Sequence, residues 1–415
     1  MNMMQNPAPE PVMTERRVAL LGALLVAIGP VSMALYTPAM PEIVRAFGTT
    51  EAAVKLTLSL YFAGFALAQL FCGPLSDGFG RRPVTIAFMG IYLAASLVCL
   101  FSPGIEVLIA ARFMQGVGAA AGIAISRAIV RDLFTNERSA RIMNTIGMIL
   151  AIGPAFSPVI GGITMELFGW HAIFVLMVAL GIGIVLAAIF AMRETVTRDL
   201  SRIRPVAIGR SYLTLLRSRY FMFASLIMGG TVGALYALAT LLPFVLIDRV
   251  GLTATQFGLS MLAQSGSYFI GSVAVRFIMP KLGSHRLVPI GLGFVATGGV
   301  ALFVLLHLFQ PSFHTVMLPV ACYAFGIAFI MPAMTTAALA PFPHMAGAAS
   351  SLSGFMQMGG GLLGSGIAVL VGEPVLAIST VIPAMGLIAV ACWFGFRRLP
   401  DPTRNLPVPG DIPLN

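Results

Sequence analysis

The sequence predicts an all-α integral membrane protein in which twelve transmembrane helices form two pseudo-symmetric six-helix bundles. Three observations carry this. First, 58% of the 415 residues are hydrophobic and only 10% are Asp, Glu, Lys or Arg, with a mean hydropathy of +0.95. A soluble chain carries about 25% charged residues, so this one cannot coat a soluble body of its size, and high hydropathy with low charge excludes disorder. Second, apolar runs long enough for a span of about 20 residues recur twelve times. Third, twenty of the twenty-five basic residues fall in loops on one side of that alternation and three on the other, the asymmetry that sets membrane topology. Helix is dictated because lipid offers the backbone no partners. The runs are too continuous for barrel strands, which alternate over about ten residues.

The first run, 18–39, follows Arg16-Arg17. With eleven more behind it, it reads as a retained span and not as a signal peptide. Tyr36-Thr37-Pro38 with Pro41 breaks its far end. Runs 53–73 and 83–101 flank the segment Gly73–Pro83, which holds Asp77, Arg81 and Arg82. Its glycines permit a tight turn, Asp77 can meet a helix N-terminus or an arginine, and Arg81 and Arg82 supply cations at the membrane edge. A plain positive turn has the same composition.

Run 107–129 carries Arg112 near its start, then Gln115, Gly116, Gly118 and Ala119–Ala121. An arginine at a span centre costs about 2.5–3.5 kcal/mol unless it faces protein or water. Arg112 and Gln115 are therefore expected at a central cavity, with snorkelling as the alternative; for Arg127 and Arg131, snorkelling leads. Run 142–164 holds Gly153, Pro154, Pro158, Gly161 and Gly162, a candidate inter-bundle bend or ordinary small-residue packing. Run 171–191 completes six. The charged stretch 192–219 follows, then runs 220–246, 256–278, 287–308, 314–339, 346–371 and 375–396. Pro280–Arg286 faintly echoes Gly73–Arg82, as an internal repeat would. The expected organisation is a tail 1–17, a bundle 18–191, a central loop 192–219, a bundle 220–396 and a disordered tail 397–415, with both termini and the central loop cytoplasmic.

The chemistry is sparse. Four cysteines stand at no metal spacing and read as small buried hydrophobes. Glycines 359–361 lack the strand and lysine of a phosphate loop. There is no Ser/His/Asp arrangement, paired carboxylate or ligand cluster, so no enzyme, metal or cofactor is expected. The net charge of +10 reads as topology and not as a nucleic-acid surface. Tyr36, Tyr61, Tyr236, Tyr268 and Tyr323 are candidates to line an adaptable apolar pocket.

Taken together, the chain resembles the major facilitator superfamily of twelve-span secondary transporters. Gly73–Arg82 looks like its signature loop between spans two and three. Arg112-Phe-Met-Gln115-Gly116-Val-Gly118 resembles the fourth-span motif whose arginine is tied to proton coupling, and Gly153-Pro154 through Gly161-Gly162 resembles the fifth-span motif of exporters. Tyr36-Thr-Pro38-Ala-Met-Pro41 and Arg127-Ala-Ile-Val-Arg131-Asp132 are similar to the Bcr/CflA branch of multidrug exporters, which includes chloramphenicol and florfenicol efflux proteins. The resemblance implies a monomer in the bacterial inner membrane that exports small amphiphilic drugs in exchange for protons. The Asp77–Arg82 loop would then latch the inner side. One position departs: the branch often carries an acid where this chain has Ala34, and no Asp or Glu stands mid-span, so no residue is assigned as the proton carrier. A proton-linked uptake carrier shares the fold and differs in the direction of movement in oriented vesicles. A membrane sensor or enzyme would need an added soluble domain or a catalytic cluster.

Overall fold

The computed structural model describes residues 12–203, 205–400 and 402. Most of the two expected tails and Arg204 of the central loop lie outside them. Among the described residues the regular structure is helical. Thr14 opens α1 (Glu15–Tyr36) by accepting from the Arg17 amide, the usual answer to an unpaired helix start. The break seen in the sequence is real: a 3-10 turn, Thr37–Ala39, leads into α2 (Met40–Phe47), which ends at Gly48 with φ +56°. There follow α3 (Glu51–Phe79), α4 (Arg81–Leu100), α5 (Ile105–Leu133), α6 (Asn136–Phe168) and α7 (Trp170–Leu186). The central connection contains a short helix, α8 (Pro205–Arg217), and the second half comprises α9 (Arg219–Pro243), α10 (Ala254–Leu282), α11 (Ser284–Leu308), α12 (Phe313–Leu339), α13 (Ala346–Val371) and α14 (Pro374–Phe396). Setting aside the short α2 and α8, twelve helices among the described residues have spanning dimensions. Eleven are also apolar enough to cross a membrane; α10 is the polar one, with Gln256, Gln264 and a run of serines.

The segment expected as a turn over Gly73–Pro83 is almost entirely helical. α3 continues through Pro74 to Phe79 and α4 begins at Arg81, so Gly80 alone makes the reversal, at φ +107°. That backbone region is open to glycine and strained for other residues.

In the first half α1 packs on α5 and α6, α3 on α5, and α4 on α5 and α7. In the second, α9 packs on α12 and α13, α10 on α12, and α11 on α12 and α14. With spans counted from the start of each half, these are the same pairs. The halves meet along α3–α13 and α6–α10, two contacts that exchange under the same renumbering. Apolar side chains such as Phe101, Phe190 and Leu370 point outward, as they must where lipid is the solvent. The arginine-rich loops gather at one end, here called the basic end.

Candidate functional site

Arg112 is fully buried in α5. Its guanidinium lies between two rings, 4.3 Å from the Tyr36 centroid and 4.5 Å from that of Tyr61, and Nη1 donates to Gln115 Oε1. Gln115 Nε2 donates onward to Ser96 Oγ at 2.7 Å. Around this, Tyr36 and Thr57 share a hydroxyl bond at 2.7 Å, Tyr61 donates to the Gly29 carbonyl at 2.9 Å, and Ser32 meets Tyr92 at 2.5 Å. Helix spacing explains the pairing, since residues three apart lie on one face and Arg112 reaches Gln115. Close approach of α3 and α5 supplies the slot: a Cβ on Gly116 would fall on the Tyr61 carbonyl, and one on Gly64 on the Phe113 carbonyl. Among the described residues Arg112 Nε and Nη2 have no acceptor. A buried charge without a counter-charge is costly, and the two ring faces return part of that through cation–π attraction, about 2 kcal/mol when desolvated.

At the basic end Arg81, almost wholly buried, pairs with Asp77 one turn back and with Asp132 of α5 at 3.0 Å, and donates to Ser76 Oγ at 2.7 Å. Glu194 accepts from the Arg81 and Arg82 amides at 2.8 and 3.1 Å, so a carboxylate closes the start of α4, where the helix dipole favours it. Thr195 donates to Asp132 at 3.0 Å, and the Asp199 amide donates to the Gly78 carbonyl at 3.0 Å. Arg82 turns away and caps the end of span six, donating to the Ile189 carbonyl at 2.8 Å. The central connection thus straps the α3–α4 junction. On α8, Tyr212 donates to the Leu70 carbonyl at 2.6 Å. Burial pushes its phenol up to about 12, so it remains a donor through the physiological range.

α6 runs unbroken through Pro154 and Pro158. Gly153 faces Val31 and Gly161 faces the Leu35 carbonyl, both on α1, whereas Gly162 abuts the Ala254 backbone and the Pro158 carbonyl abuts Gly258, both on α10. Glu166 accepts from the Thr255 amide at 2.8 Å. One face of this segment therefore packs within its bundle and the other against the second. Of the tyrosines, Tyr236 meets Phe62 across the halves at 5.4 Å between ring centroids, Tyr268 is half-buried on α10, and Tyr323 is buried in the second half, donating to the Gly230 carbonyl at 3.4 Å. The structure brings Tyr36 and Tyr61 together with Arg112 and Gln115 and leaves Tyr323 apart from them.

Sequence reasoning missed a chain of charges at the opposite end. Arg45 pairs with Glu42 at 3.1 Å and with Asp248 of the second half at 2.8 Å. Glu51 pairs with Lys55 at 3.1 Å and reaches Arg249 at 3.7 Å, which reaches Glu373 at 3.7 Å. Lys55 is only 1% exposed and lies 4.9 Å from the Phe244 ring centroid. A lysine one turn inside a span was the available signal. So near the end of a run, it reads as a loop charge.

The Major Facilitator Superfamily model matches residues 20–365. The chain is 33% identical over 400 residues to the uncharacterized MFS-type transporter YdgK of Bacillus subtilis (strain 168), covering 92% of this chain and 95% of that protein. It is 29% identical over 380 residues to multidrug resistance protein D of Escherichia coli (strain K12), covering 90% and 94%, and 30% identical over 362 residues to multidrug resistance protein MdtL of Salmonella typhimurium (strain LT2), covering 86% and 89%. In fold it is similar to the human organic anion transporter MFSD10 (TETRAN), with a TM-score of 0.66 at 17% identity over 92% of this chain and 99% of that one. It is likewise similar to a bacterial homologue of the lysosomal transporter Spinster, inward-facing and unoccupied, with a TM-score of 0.67 at 15% identity over 92% and 96%. The repeated six-helix halves agree with these likenesses, which place the chain in one family: it belongs to the Major Facilitator Superfamily, as a multi-pass membrane transporter and not an enzyme.

Proposed function

We propose that this transporter exports small amphiphilic drugs from the bacterial cytoplasm by alternating access, in exchange for protons, as a Bcr/CflA-type protein of the inner membrane with its basic end cytoplasmic. The observation that carries the reading is Arg112: a charge with two nitrogens that find no partner among the described residues, fully buried in a span, in a chain whose relatives include proteins named for multidrug resistance. Such a residue is expensive, and in membranes expense of this kind marks function. The two halves, touching along α3–α13 and α6–α10, would rock about those seams. The Asp77–Arg81–Asp132 cluster would latch the basic end, and the packing of Pro158 and Gly162 on α10 would seal the other. The distribution of arginines supports the orientation.

The test is pH-gradient-driven drug movement in everted vesicles, with and without an uncoupler. Export that collapses with the gradient, and that is lost in Arg112→Ala, Asp77→Asn and Pro154→Ala at normal expression, is the expected result. Transport untouched in all three would remove these roles, and movement in the opposite direction would make the protein an uptake carrier.

A further inference from the structure

We infer that the space between the two bundles selects amphiphilic organic anions and turns organic cations away; the inference rests on the export reading and assigns its substrate class. The wall between the halves is neutral. From α3, Ser59 donates to Ser365 of α13 at 2.8 Å, Gln69 abuts Gly354 of α13, and Phe62 meets Tyr236 of α9. Apart from the paired charges at the two ends, the charged side chains placed near this seam among the described residues come from α5. Arg127 of α5 donates across the seam to Ser350 Oγ of α13 at 3.3 Å and is exposed. Arg112 stands one ring behind the wall, covered by Tyr61, whose neighbour Phe62 touches the second bundle. Neither arginine has a carboxylate at ion-pair distance among the described residues, whereas Arg81, Lys55 and Arg249 all do.

The carboxylates that could have balanced them are occupied at the two ends. Asp77 and Asp132 hold Arg81, Glu51 holds Lys55, and Asp248 holds Arg45. Glu194 holds the start of α4. The seam therefore presents, at Arg127, a positive charge that no carboxylate among the described residues balances. A cation entering it meets like charge and finds no acid to pair with, a way of rejecting ligands by repulsion. A carboxylate, phenolate or sulfonate finds an exposed guanidinium at Arg127, a group suited to planar anions.

The experiment uses the full-length protein in proteoliposomes with an imposed pH gradient and the membrane potential clamped at zero by potassium and valinomycin. Carboxyfluorescein (anionic), ethidium (cationic) and chloramphenicol (neutral) are compared. The expected result is carboxyfluorescein transport faster than ethidium by at least about ten-fold, since like-charge juxtaposition costs more than the 1.4 kcal/mol that a factor of ten represents. Arg127→Gln narrows that ratio, and Arg127→Glu, a change at an exposed position that leaves the core intact, inverts it. Ethidium moving as fast as carboxyfluorescein, or a ratio unmoved by Arg127→Glu, overturns the inference. Movement of chloramphenicol alone also overturns it and leaves the export reading standing, whereas movement of none of the three removes both.

Discussion

Arg112 shows what a single residue can disclose. An arginine inside an apolar run is visible in any reading of the chain, because charge in a span must be justified. Its surroundings were not visible: Tyr36, Tyr61 and Ser96 come from three other helices, and nothing local ties them to position 112. The slot also separates function from stability. The guanidinium bears a desolvation cost of several kcal/mol and recovers about 2 kcal/mol from the two rings. Removing it leaves Gln115 Oε1 without a donor, worth about 1–3 kcal/mol. These nearly cancel, so Arg112→Met is expected to melt in detergent within about 1 kcal/mol of the native protein, since apolar replacement of buried charge is often neutral or favourable. The same variant loses gradient-driven transport. Arg112→Lys keeps the charge without the planar stack between the rings, and retains only a small fraction of the activity. A Met variant that unfolds would recast Arg112 as a structural residue.

At the level of helices the contacts are set by glycine. Gly116 on α5 faces the Tyr61 carbonyl with no room for a methyl group, while Gly183 on α7 faces open space. Gly116→Ala must push α3 and α5 apart and disturb the Arg112 slot, so it should lower stability by about 1–3 kcal/mol, as overpacking does. Gly183→Ala gains helix propensity of about 0.5–1 kcal/mol and disturbs no contact. Thermal melting of the two variants side by side checks this, and equal effects would mean the helices are not in close contact there. The spans themselves were legible because lipid leaves the backbone no alternative to helix. The junction Gly73–Pro83 was misread for a related reason: glycine and proline signal turns in water, but membrane helices tolerate both. α3 therefore runs on through Pro74, and only Gly80 breaks it. That Glu194 closes the start of α4 could not be read, since it approaches from 113 residues away.

For the whole molecule, the relation of the halves was legible in the span count and the charged middle. The ties across the opposite end were not, because isolated charges near span ends read as loop residues. Those ties differ in strength, and this gives a graded prediction. Arg45 is 61% exposed, so its pair with Asp248 contributes about 0–1 kcal/mol, and Arg45→Gln should leave the balance of states nearly unchanged. Glu51 neutralises a lysine that is only 1% exposed. Glu51→Gln strands that ammonium against Phe244 in the state where the ends meet, at about 3–5 kcal/mol, and should move the population toward an opened end by a factor of roughly 100 or more. Removing the stranded charge as well, in Glu51→Gln with Lys55→Met, should restore the closed state. Ser365 reports the outcome: it is buried and 2.8 Å from Ser59 across the seam, so a cysteine there, in a background without Cys72, Cys99, Cys322 and Cys392, reacts with an impermeant maleimide only when that end opens. Labelling should be fast in Glu51→Gln and slow in both Arg45→Gln and the double variant. Equal labelling in all three would mean that the charges decorate the end of the bundles without holding it shut.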